Sequence, residues 1–254
     1  MMEKQQNISV SVVMPAFNEE KTITEIVLRV LNQGVVKQLI IVDDNSSDET
    51  RSLLKQFQQD SRVEVISLKR NRGKGNAIKE GLKQIKEKIT IIQDADLEYD
   101  PNQYSKLINP IVLDYADVVY GSRFQTSEER RVLYFWHMLG NKFLTLISNA
   151  FTNLNLTDME TCFKAAKSEY FQALNIQEKR FGVEPEITAK FSAMRARFYE
   201  VSISYFGRTY DEGKKIHAKD GFRALYCIVK YNLPFTRKKV WNRFQGIQNV
   251  NSTL

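Results

Sequence analysis

Three carboxylates fall at alternate positions, Asp94, Asp96 and Glu98, directly after an apolar run at residues 89–93. An extended backbone places such residues on one face, where they repel one another unless a cation lies between them. Hard oxygen ligands of this kind suit Mg2+ or Mn2+, with phosphate oxygens completing the shell. The plainer alternative is a solvated acidic turn that leads into a helix at Pro101. The preceding apolar run and a second acidic strand end, Asp43-Asp44, weigh against it.

Asp43 and Asp44 follow the apolar run at residues 38–42. A carboxylate at such a strand end can accept hydrogen bonds from ribose hydroxyls or a base. It can also cap the next helix together with Ser46 and Ser47. Gly73-Lys74-Gly75 forms a basic, glycine-flanked loop before a helical stretch, a suitable place for phosphate. It lacks the GxxxxGK[ST] spacing of a P-loop, and no GxGxxG follows the first strand, so a nicotinamide cofactor is not expected.

These groups need elements that carry them to one edge. β-type runs at residues 8–14, 38–42, 63–68, 89–93 and 117–120 alternate with helical spacing at 19–32, 47–57, 75–88 and from Pro101 onward. That alternation predicts an α/β fold with a doubly wound, mostly parallel sheet and flanking helices. All five strand ends are polar, and ligands in such sheets bind at the carboxyl ends of the strands. After Gly121 the pattern changes. A helix is expected at 129–151, a β-like run at 161–166, a helix at 185–195, a strand at 198–203 and a helix at 220–232. The reading is one domain over residues 1–235, followed by a basic aromatic tail at 236–254.

The net charge of +7 over 254 residues suggests phosphate, anionic lipid or nucleic acid as partners. Cys162 and Cys227 lack metal-type spacing and are expected to be reduced, in a cytosolic protein. Residues 1–7 hold no apolar signal-peptide core. Residues 132–151 are long enough to cross a bilayer but contain His137, Asn141, Lys142 and Asn149. A central lysine costs roughly 2.5–3.5 kcal/mol on insertion, so a helix that packs or lies on a surface is expected. Its aromatics, Tyr134, Phe135, Trp136 and Phe143, suit either a core or a bilayer interface.

The motifs VVMPAFNEE (12–20), IIVDDNSSDET (40–50), NRGKGNAIKEGL (71–82), IIQDADLEYDP (91–101), GSRF (121–124), TDMETCFKA (157–165) and GRTYDEGKK (207–215) occur in this order. Together they resemble family 2 glycosyltransferases of the GT-A fold, particularly the polyprenyl (dolichyl)-phosphate hexose synthase branch. The resemblance implies that Pro15, Ala16, Asn18, Glu19, Asp43, Lys74, Asp94 and Ala95 bind the nucleotide of a nucleotide diphosphate-sugar. It implies that Asp94, Asp96 and Glu98 hold Mg2+ or Mn2+, with Glu98 standing where some relatives carry Gln. Arg123 would meet an acceptor phosphate, and Arg208 with Lys214 or Lys215 the departing diphosphate. Asp158 lies where many members keep an acid near the acceptor, with Glu160 in the same loop.

The chemistry implied is inverting hexosyl transfer. Charge that develops on the leaving diphosphate is offset by the metal and Arg208. A saccharide hydroxyl acceptor needs a base, Asp158 or Glu160. Polyprenyl phosphate, already an anion, needs a cationic cradle instead, which Arg123 with Arg130 or Arg131 would supply. The expected setting is the cytoplasmic side of a membrane, bound peripherally to its inner face. A soluble transferase that extends a saccharide or glycolipid is the alternative. A non-catalytic nucleotide or nucleic-acid binder is more distant, because acids at the strand ends would repel nucleic acid. The sugar, and UDP against GDP, stay open.

Overall fold

A computed structural model describes residues 8–125, 129, 131–132, 134–208 and 218–251. β1 (Val10–Ala16) and β2 (Val36–Asp43) are neighbours in its sheet, flanked by β3 (Val63–Ser67) at the edge beside β2 and by β4 (Ile89–Ile92) on the other side of β1. These four strands are parallel. β1 is buried along its whole length, and β2 at every position but Lys37, so both read as continuous apolar runs rather than alternating ones. Ser11 and Gln38 are the polar exceptions. The Ser11 hydroxyl donates to Gln38 Oε1 at 2.6 Å, and Gln38 Nε2 donates to the Gln84 carbonyl at 2.7 Å, so neither is left bare.

The crossover helices are α1 (Ile23–Leu31), α2 (Thr50–Leu54), α3 (Lys74–Leu82) and α4 (Tyr104–Val112). α1 buries Ile23, Ile26, Val27 and Val30, one helical stripe. It begins four residues later than the spacing predicts because residues 17–22 are tied to the neighbouring loop. Asn18 adopts a left-handed φ of 51°, which asparagine tolerates. Its N–H donates to Ser46 Oγ, and its side-chain oxygen accepts from the Ser47 N–H. Two strand-end loops are thereby stitched into one wall.

α3 lies directly on β1 and β2 at Gly81, where a Cβ would come 2.6 Å from Val13 Cγ1 and 3.2 Å from Val42 Cγ2. Gly81→Ala is expected to destabilise the protein by roughly 1–3 kcal/mol, the usual range for overpacking, read as a lower denaturant midpoint at unchanged slope.

The second half completes the sheet in the order β3-β2-β1-β4-β6-β5-β7, with β5 (Val118–Ser122), β6 (Lys164–Lys167) and β7 (Phe198–Ser202). β6 is antiparallel to both neighbours, a reversal that the spacing of its residues does not reveal. α5 (Phe135–Thr152) starts six residues after the expected helix start at 129. α6 (Ser168–Ala173), α7 (Val183–Ala193), α8 (Ala218–Asn232) and α9 (Pro234–Asn251) follow.

α9 corrects the expectation of a basic tail. Val240 and Phe244 recur at helical spacing and are buried, with the Phe244 ring 4.6 Å from that of Tyr170. Arg195 lies over the Trp241 ring at 4.8 Å. Cys162 and Cys227 are buried free thiols.

Candidate active site

The carboxyl ends of β1, β2 and β4 open into a cavity of about 690 Å3. Its walls include Pro15, Ala16 and Glu19 from the β1 end, and Asp44 from the β2 end. Asp94, Ala95, Asp96 and Glu98 come from the β4 end, and Gly73 and Lys74 from the start of α3.

The chain does not stay extended after β4. Residues 95–99 bend, and the Glu98 N–H donates to Asp96 Oδ1 at 3.1 Å. The three acids therefore do not line one strand face, and each has found a cation. Lys74 Nζ sits 2.9 Å from Asp94 Oδ1. Arg208 reaches Asp96 at 2.6 Å, Glu98 at 3.2 Å and Glu19 at 3.1 Å. Tyr205 donates to Glu98 Oε2 at 2.7 Å. Among the described residues no three His, Cys, Asp or Glu side chains already converge as a metal site; Asp94 is paired with Lys74, and Asp96 and Glu98 with Arg208.

The charge balance nevertheless fits a dication. Burial first, then the neighbouring Asp94, Glu98 and Glu19, push the Asp96 carboxyl up to about 8 against the pull of Arg208. Burial acts the same way on Asp94, but Lys74, a bond from Cys162 and Arg208 together bring it below the usual carboxylate range. Asp94, Asp96 and Glu98 offer the hard oxygens that Mg2+ or Mn2+ prefers. An ion there would take over the neutralising role that Arg208 now has.

Two expectations for the nucleotide end change. Asp43 is fully buried and does not reach the cavity; it accepts from the Ser46 N–H and from Arg51 Nε, both at 2.9 Å. Asp44 is the strand-end acid in the wall, and it holds the basic loop by accepting from the N–H groups of Arg72 and Gly73. Asn18 also stays out of the lining and acts on the loops through Ser46 and Ser47. Lys74 faces the cavity but is tied to Asp94 and Glu184.

In the same cavity Arg123 forms a bidentate pair with Asp158, Nε at 2.6 Å and a terminal nitrogen at 2.7 Å, and its backbone N–H donates to the same carboxylate at 3.0 Å. Asp158 is fully buried, with both oxygens engaged by Arg123. It therefore holds Arg123 in place, next to the position where an acceptor phosphate was expected. Removing one partner of such a pair leaves an uncompensated buried charge. Asp158→Ala is expected to cost about 3–5 kcal/mol of stability, measured by chemical denaturation, with Asp158→Asn intermediate.

Glu160 does line the cavity. Burial, then the neighbouring Glu184, push its carboxyl up to about 7, and its Oε1 accepts no hydrogen bond from any described residue. Arg131 is turned elsewhere, donating to the Gly207 carbonyl at 3.0 Å. Arg130, Lys214 and Lys215 lie outside the described residues.

Sequence reasoning missed part of the wall. Trp136, His137 and Asn141 of α5, Glu184 of α7, and Asp220 and Ala224 of α8 complete it. The one signal for α5 and α8 was their mixture of aromatic, basic and apolar residues. Glu184 carried none, being a single acid at a helix start.

A mostly parallel sheet with an acid-lined cavity at its carboxyl edge, closed by helices added after the fifth strand, is the architecture of GT-A nucleotide-diphospho-sugar transferases. The chain superposes with a TM-score of 0.68 on glucosyl-3-phosphoglycerate synthase of Mycobacterium tuberculosis, solved with Mn2+, UDP and glucosyl-3-phosphoglycerate. That match is 19% identical and covers 90% of this chain and 81% of that one. The chain belongs to glycosyl transferase family 2, whose family model matches residues 11–174. It is a glycosyltransferase. Among its relatives is the UDP-N-acetylglucosamine–dolichyl-phosphate N-acetylglucosaminyltransferase of Methanococcus voltae, 27% identical over 85% of this chain and 93% of that one. Another is dolichol-phosphate mannosyltransferase of Pyrococcus furiosus, 25% identical over 88% of this chain and 64% of that longer protein.

Proposed function

We propose that this transferase moves a hexose from a nucleotide diphosphate-sugar to polyprenyl phosphate, with inversion, while bound peripherally at the cytoplasmic face of a membrane. The observation that carries the acceptor is the wall where Arg123 shares one cavity with Trp136 of α5. Arg123 offers a phosphate a cation already held in place by Asp158. The two helices that supply Trp136 and Ala224 to the cavity, α5 and α8, also carry exposed apolar side chains. Trp136 is 75% exposed and Phe222 of α8 77% exposed, and Phe135, Phe143, Leu146 and Tyr226 are exposed on the same two helices. Aromatic helices of this kind suit the headgroup boundary of a bilayer. Among the described residues no helix is long and apolar enough to cross a membrane. The relatives that act on dolichyl phosphate support the same acceptor.

The donor's nucleotide would lie between the β1 and β2 ends, with its diphosphate at Asp94, Asp96 and Glu98. A divalent ion held by those carboxylates would supply Lewis-acid stabilisation of the leaving diphosphate. Arg208, already bridging three carboxylates, is the cation placed to meet the charge that develops there. The anionic acceptor attacks the anomeric carbon from the Arg123 wall, on the side away from the diphosphate, and this inverts the centre. A saccharide acceptor is the second reading. It needs a base near neutrality, and Glu160 is the wall carboxylate poised at about 7.

The test is nucleoside diphosphate release from UDP- and GDP-sugars with Mn2+, with and without a short polyprenyl phosphate. Release that requires the lipid phosphate is expected. Release that requires a saccharide would replace it with the second reading, and no release or donor binding would overturn both.

A further inference from the structure

Behind the β4 acids the cavity wall carries a chain of paired charges. Lys74 Nζ lies between Asp94 Oδ1, at 2.9 Å, and Glu184 Oε1, at 3.3 Å. The second contact is an ion pair without hydrogen-bond alignment, since Glu184 Oε1 accepts no hydrogen bond from the described residues. Lys164, fully buried, gives its ammonium to Glu184 Oε2 and to the carbonyls of Met159 and Thr161. Both lysines are thus engaged, and Arg123 is held by Asp158. Glu160 stands in the field of Glu184, Lys164, Arg123 and Asp158. It lines the cavity, yet its Oε1 is buried and accepts nothing from the described residues.

A buried acceptor without a donor costs free energy, about 1–3 kcal/mol, and such atoms are few in native structures. Glu160 is only partly buried and lines the cavity, so a turn about its terminal side-chain bond, which is broad and roughly two-fold, brings that oxygen to what enters. In a nucleotide diphosphate-sugar the hexose follows the diphosphate, so a diphosphate at Asp94 and Asp96 sets the ring beside the Lys74–Glu184 wall. The hexose periphery carries hydroxyl groups and, in acylated amino sugars, an amide N–H. These are the donors that a carboxylate oxygen accepts. Resting on the donor site described above, we infer that Glu160 accepts a hydrogen bond from a hydroxyl or amide N–H of the donor's hexose, and so selects the sugar. A site built around such a bond discriminates strongly against the analogue that lacks the group.

The test is calorimetric titration, with Mn2+ present, of wild type, Glu160→Gln and Glu160→Ala. The probes are the free nucleoside diphosphate, the UDP- or GDP-hexose that binds wild type, and its monodeoxy analogues. Wild type is expected to lose about 10- to 100-fold in affinity for one analogue, as for a hydrogen bond to a charged group. Glu160→Ala should bind parent and analogue alike, and Glu160→Gln should lie between. Both variants should bind the nucleoside diphosphate within about twofold of wild type. An unchanged ratio of parent to analogue in Glu160→Ala overturns the inference. So does unchanged hexose affinity with a fall in kcat and loss of its acidic limb, which would make Glu160 a base. If wild type binds no nucleotide-sugar, the donor reading itself has failed; if it binds one and the ratio is flat, only this inference has.

Discussion

Asp96→Asn is expected to lower Mn2+-supported nucleoside diphosphate release by roughly 10²–10³-fold, the scale of losing one preorganised charge at a reacting diphosphate. The shape of the side chain is kept, and asparagine can still accept from Arg208, so the fold should hold. At alkaline pH its stability should exceed that of wild type. The sign follows from protons. Burial and then the neighbouring Asp94, Glu98 and Glu19 push the folded carboxyl up to about 8, above its ordinary 3.8. Between those values the native state holds a proton that the unfolded chain has lost, so stability falls as pH rises through that window. Asparagine carries no such cost. Denaturant melts at pH 6 and pH 8.5 should show a decline in wild type that the variant lacks. Metal binding should run the other way, because an ion needs the ionised carboxylate and releases its proton. Mn2+ affinity of wild type should climb towards pH 8 and that of the variant should stay weak and flat. Wild-type turnover by Asp96→Asn would remove this acid from the chemistry.

Arg208→Ala should separate two properties that usually fall together. The guanidinium bridges Asp96, Glu98 and Glu19, with its closest contact at 2.6 Å to Asp96. Without it the carboxylates lose their resident cation, and Mn2+ should bind more tightly than in wild type. Turnover should still drop about 10²–10³-fold, because the charge on the departing diphosphate goes unmet. Arg208→Lys should recover part of the rate, since a lysine keeps the charge but not the planar fork that spans several carboxylates. Metal affinity and kcat are measured on the same preparations. Equal weakening of both would point to a purely structural role for Arg208, and an unchanged kcat would exclude it from the reaction.

Local chemistry made much of this legible. Apolar runs such as residues 38–42 announce buried parallel strands whatever follows them, because burial on both faces leaves no room for alternation. Acids and glycines after those runs mark the ligand edge of the sheet. The antiparallel insertion of β6 was not legible. Strand direction depends on the path of the chain between β5 and β6, and Lys164 to Lys167 reads the same either way. Nor was the pairing of the acids. The spacing of Asp94, Asp96 and Glu98 implies a shared face only if the backbone stays extended, and a bend stabilised by the Asp96 side chain removes that condition.

Residue types and their order thus determined the family, the sheet and the edge where the ligand must sit, since these follow from periodicity and from side-chain chemistry close in sequence. Tertiary structure decided which carboxylates are available. It buried Asp43 under Arg51 and put Asp44 in the wall. It joined Asp158 to Arg123 across 35 residues and Asp96 to Arg208 across 112. It left one oxygen of Glu160 without a partner among the described residues. The physical reason is that a charge is defined by the groups that surround it once water is excluded, and those neighbours come from distant parts of the chain.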